Sequence, residues 1–207
     1  MGVAMGSTAI GLVYSPWGRR SGAHINPAVT LTFLRLGRVR AADAAAYVAA
    51  QFAGGLAGAE LVAAALGSAF LAPPVAGVAT LPGPAGLAVA FSSELAISFA
   101  LVLLVLRLGG SRKWSGRTGL FVGAVLFVYI TFEAPLSGMS MNPARTVASA
   151  IAAHAWTGVW IYFLAPLAGM LLASEVHLRL ARSRSQGCAK LAHGLPCIFC
   201  GAGSRRE

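Results

Sequence analysis

The sequence predicts an all-α protein that crosses a membrane several times. Three observations carry this expectation. Of 207 residues, 57% are hydrophobic and only 11% charged, where an ordinary soluble domain is about 25% charged. Residues 1–18, 61–93, 118–132 and 146–174 contain no Asp, Glu, Lys or Arg, and a helix needs roughly 20 apolar residues to cross the hydrocarbon. Finally, a ten-residue pattern containing a helix-start triplet occurs twice inside this apolar frame.

The net charge of +10 is distributed between the apolar runs. It falls at Arg19 and Arg20, at Arg35, Arg38 and Arg40, at Arg107, Arg112, Lys113 and Arg117, and from Arg179 onward. The long Pro/Gly/Ala-rich connection 66–86 is uncharged. The positive-inside rule therefore places the basic segments and the C-terminal tail in the cytoplasm. Nucleic-acid binding would need one contiguous basic face, and none is visible.

In chain order, the first span is expected at 1–17. Its positive charge follows the apolar run, the wrong order for a signal peptide. A half-helix follows at 27–35, then a second span at 41–65. Small residues there (Ala53, Gly54, Gly55, Ala57, Gly58, Ala59) suit close helix approach in lipid. Further spans are expected at 87–107, 117–135 and 157–180, with a second half-helix at 143–153. This makes five full spans and two half-helices in a unit 1–181, followed by a basic tail at 182–207.

The repeated pattern runs from Ser21 to Thr30 and from Ser137 to Thr146, with six of ten positions identical. Each copy contains Asn-Pro-Ala: Asn26, Pro27 and Ala28, then Asn142, Pro143 and Ala144. Asn is a strong N-cap and Pro suits the first helical position, so each triplet reads as a helix start. Lipid offers nothing to the free N–H groups of such a start. Two of them at membrane depth imply a shared polar path.

Two such boxes 116 residues apart, the second extended by Arg145, with Glu94 inside the intervening span, resemble the major intrinsic protein family of aquaporins and glycerol channels. Tyr47 to Gln51, Glu94 to Phe99 and Trp160 to Pro166 add to the resemblance. The stretch from Pro135 to Arg145 looks most like the nodulin-26-like branch and its bacterial relatives. The resemblance implies an inverted repeat whose two re-entrant half-helices meet N-terminus to N-terminus at mid-pore. It also implies a channel for water or small neutral solutes such as glycerol, urea or metalloid hydroxides, embedded in the plasma or inner membrane as a homotetramer. Glu94 lies 48 residues before Asn142, and the equivalent position before Asn26 would lie upstream of Met1. The internal symmetry thus predicts one further helix ahead of this start, so a truncated or mis-assigned start is expected.

On this resemblance the carbonyls of Gly22, Ala23, His24 and Ile25, and of Gly138, Met139, Ser140 and Met141, line the path. The selectivity filter maps by spacing onto Gly6, Ile130, Met139 and Arg145, a wider and less polar set than in water-only members. Gln51 and Glu94 are expected to brace the loops, Glu94 accepting from loop amides. No nucleophile, metal cluster or acid pair lies within the spans, so neither an enzyme nor a required cofactor is expected. In the tail, Cys188, His193, Cys197 and Cys200 are donors suited to zinc, an alternative to a tail with spare thiols. Two other classes compete with a channel. A truncated, non-conducting interaction module is one; a secondary transporter is the other, though Glu94 alone is a poor supply of ion-coupling groups.

Overall fold

The computed structural model describes residues 1–111, 113–180 and 188–191, and every regular element among them is helical. In order these are α1 (Gly2–Tyr14), α2 (Pro16–Ser21), α3 (Pro27–Arg35), α4 (Ala41–Leu66) and α5 (Ser68–Leu71). They continue with α6 (Leu87–Gly109), α7 (Thr118–Phe132), α8 (Ala134–Ser137), α9 (Pro143–Ala153) and α10 (Ile161–Leu180). Short 3-10 turns occur at Ala76–Val78 and Ser115–Arg117.

Among the described residues four helices are long and apolar enough to cross a membrane: α4, α6, the run Ser115–Phe132 that includes α7, and α10. The expected first span falls short. Helix α1 has 13 residues, about 20 Å at 1.5 Å per residue, against a core of roughly 30 Å. Its end is local chemistry. The Ser15 side chain accepts from the Gly18 amide, and Pro16 occupies the first position of α2. The chain restarts there instead of continuing to Trp17. Helix α7 likewise stops before Glu133, and α8 carries the chain to the second box.

Packing follows the small residues. A Cβ on Gly169 of α10 would stand 2.3 Å from the Leu95 carbonyl oxygen of α6, so these helices touch backbone to backbone. Helices α1 and α7 cross in the same way through Gly6 and Gly123. Contact this close gains dispersion energy where lipid supplies no hydrophobic drive. The salt bridge Arg35–Glu175 at 2.6 Å ties α3 to α10. Large apolar side chains remain exposed on the outer faces of α4 and α10, among them Leu61, Leu66, Leu164 and Leu172. Such an outer face suits lipid.

Candidate functional site

Both boxes form helix starts. The Asn26 side chain accepts from the Ala28 amide at 2.9 Å, with Pro27 at the head of α3. The Asn142 side chain accepts from Ala144 and Arg145 at 3.1 and 3.3 Å, with Pro143 at the head of α9. Each cap satisfies helix amides that have no intrahelical partner.

The loops leading into the caps repeat each other's backbone. Gly22 and Gly138 have φ of 83° and 81°, Ala23 and Met139 have 56° and 47°, and Ile25 and Met141 have 47° and 54°. Asn26 and Asn142 then return to extended backbone at φ −153° and −143°. Left-handed conformations are costly for residues with a Cβ. Four of them at matched positions are maintained because side chains fix the loops. In both copies the residue two before the Asn contacts the Thr four after it: His24 with Thr30 at 3.2 Å, and Ser140 with Thr146 at 2.5 Å.

The two starts meet. Asn26 Nδ2 donates to the Met141 carbonyl at 2.6 Å, and Asn142 Nδ2 donates to the Ile25 carbonyl at 2.8 Å. Each amide carries two hydrogens, so one N–H per Asn is left for a passing oxygen. Two helix N-termini converge there, each equivalent to about +0.5 of an elementary charge. A cation at the junction is repelled; a neutral hydrogen-bonding molecule is not.

Glu94 is fully buried and braces the second loop. It accepts from the amides of Ser140 (2.6 Å) and Met141 (2.8 Å) and from the Ser137 hydroxyl (3.1 Å). Tyr162 donates to the Ser137 carbonyl at 2.6 Å. Among the described residues no carboxylate stands in this place for the first loop. There Gln51 Nε2 donates to Thr30 Oγ1 at 3.0 Å, and Tyr47 donates to the Ser21 carbonyl at 2.7 Å.

A cavity of about 600 Å³ runs past these groups. Ala23, His24, Ile25, Gly138, Ser140 and Met141 line it, as do Ile130, Met139 and Arg145. Two expected residues are elsewhere. Gly6 is buried where α1 crosses α7, and a Cβ on it would stand 2.6 Å from the Gly123 carbonyl oxygen. Counting from Asn26 gave its position in the chain but not its face; the neighbouring Met5 lines the cavity instead. The Gly22 carbonyl accepts from the Leu191 amide and is engaged by protein.

Arg145 is held by groups that the sequence did not single out. Its guanidinium donates to Thr80 Oγ1 and, at 3.3 Å, to the carbonyl of Val78. Both belong to the uncharged connection before α6, which no charge or periodicity in the sequence marked as folding inward. On the opposite side Arg38 is half-buried over the Phe33 ring. Burial draws its pKa below the usual guanidinium value, and Cys188 nearby opposes that shift. Cys188 is half-buried; His193, Cys197 and Cys200 lie outside the described residues.

Paired helix starts, joined side chain to carbonyl within an apolar helical frame, define a multi-pass membrane protein built around one polar junction. The family model described as Major intrinsic protein matches residues 1–177, and the chain belongs to that family. It is 35% identical over 191 residues to aquaporin NIP2-3 of Zea mays, an alignment covering 91% of this chain and 60% of that protein. It is 38% identical over 168 residues to aquaporin NIP1-3 of Oryza sativa subsp. japonica, covering 81% and 57%. The chain thus spans less than two thirds of the length of both relatives. The X-ray structure of the aquaglyceroporin from Plasmodium falciparum shares its fold, with a TM-score of 0.67 at 19% identity over 86% of this chain and 90% of that one.

Proposed function

We propose that the chain is a passive channel for water and small neutral solutes. The observation that carries this reading is the reciprocal bonding of Asn26 and Asn142, which leaves two N–H donors facing one junction. A solute oxygen accepts from these donors while its own hydroxyl donates to loop carbonyls on either side, so water is exchanged for protein at little net cost. The converging helix ends repel cations, the general logic of such pores. The aquaporin names of the relatives support the same reading.

Selectivity lies where Arg145 faces Ile130 and Met139, with Met5 taking the place expected of Gly6. Arg145 supplies donors and the others an apolar wall, a combination that suits glycerol, urea or a metalloid hydroxide as well as water. The working unit is a homotetramer in the plasma or inner membrane, with 182–207 as a cytoplasmic tail. A passive channel calls for neither a catalytic nucleophile nor a cofactor. Zinc on the tail donors is a separate question, settled by metal analysis of purified protein with and without Cys200→Ser. The channel itself is tested by swelling of cells expressing the full chain. Uptake of both water and glycerol above the vector control is expected; water uptake without glycerol would overturn the wide filter, and uptake of neither solute by the native chain and by the Leu191→Asp variant described below would overturn the channel.

A further inference from the structure

Residues 188–191 return from the tail to the loop that leads into the first box. The Leu191 amide donates to the Gly22 carbonyl at 3.1 Å, and the Ala189 carbonyl lies 2.8 Å from His24 Nε2. With the proton on Nε2, the neutral ring donates to Ala189 and accepts at Nδ1 from the Thr30 hydroxyl. Ala189, Lys190 and Leu191 are only 1%, 8% and 8% exposed. The Leu191 side chain joins the buried apolar cluster with Phe33 and Val105 and lines the cavity. Even the Gly22 backbone is closely covered, since a Cβ there would stand 3.3 Å from the Ala189 carbonyl oxygen.

We infer that residues 188–191 are a plug that closes the mouth of the path on the side of the first loop. The inference rests on the channel reading above. Two groups that would serve a solute are taken by the plug: the Gly22 carbonyl by an amide, and His24 Nε2 by a carbonyl. The Leu191 side chain stands in the wall of the cavity beside His24. The two hydrogen bonds to Gly22 and His24 exchange for water on release at little net cost, and burial of the Leu191 side chain favours the closed state.

The test uses the full chain and Leu191→Asp, which places a charge in the apolar seat, with Leu191→Ala as a milder variant should Leu191→Asp misfold. Hydrogen exchange of the native protein should show protected amides at 189–191, with protection lost in the variant. Proteoliposome glycerol uptake should rise about threefold or more, because a mostly closed population conducts only through its minor open state. Unprotected amides in the native chain would overturn the plug. So would protection combined with equal flux in native and variant proteins, a result that leaves the channel reading standing. Absence of flux from every variant would overturn the channel reading and the plug together.

Discussion

Asn26 Nδ2 donates to the Met141 carbonyl at 2.6 Å, across 115 residues of sequence. A helix cap is ordinarily a local device, but here its second functional group holds the opposite loop. Cap, loop and junction are therefore one unit, and a change at either Asn reaches both.

Asn26→Ala removes a cap and leaves a buried carbonyl without its donor. The cap is worth about 1 kcal/mol, and an unsatisfied buried acceptor costs about 1–3 kcal/mol. A clear fall in melting temperature in detergent is expected. Thermal unfolding unchanged from the native chain would separate the cap from the junction.

Asn142→Asp places a carboxylate at the meeting point of two helix ends. It cancels part of the positive field and removes both N–H donors. Cation leak should appear, read as a sodium-dependent current in planar bilayers, while glycerol flux falls by about tenfold, the effect of losing one well-placed contact of about 1.4 kcal/mol. A variant as tight to sodium as the native chain would contradict the assignment of the barrier to this junction.

Glu94→Gln keeps one acceptor oxygen and turns an NH2 group toward a loop amide. Charge-assisted bonds to Ser140 and Met141 are lost, at a cost of about 2–4 kcal/mol. Reduced thermal stability and faster proteolysis near 137–142 should follow. A proton-coupled role would instead leave stability unchanged and make flux pH-independent.

Gly6→Ala separates the two placements of that residue. Since Gly6 packs on Gly123, the added methyl should destabilise the protein by about 1–3 kcal/mol through overpacking and leave the glycerol-to-water ratio unchanged. Met5→Trp should lower that ratio by narrowing the cavity. Uptake of the two solutes in parallel reads both variants, and a ratio that moves only with Gly6→Ala would restore Gly6 to the filter.

What was legible in the sequence was local or chemically conspicuous. Asn-Pro at a helix start, an ionisable Glu94 in an apolar run and the duplicated spacing each carry their reason within a few residues. What was hidden depended on distant segments or on the face of a helix. Thr80 and Val78 reach Arg145 from a connection with no charge or periodicity to mark it. Gly6 was located by count, yet the crossing of α1 and α7 turns it away from the cavity. The break after Tyr14 was legible in Ser15 and Pro16, but the apolar composition on either side masked it.

The central claim is that one polar junction passes neutral solutes and repels cations. Proteoliposomes holding the full chain and an internal pH dye test it in one experiment, under an inward glycerol gradient and an imposed pH difference. The predicted result is re-swelling faster than in empty liposomes with the dye trace unchanged from theirs. Re-swelling at the bare-lipid rate by both the native chain and Leu191→Asp, or collapse of the pH difference together with glycerol entry, would contradict it.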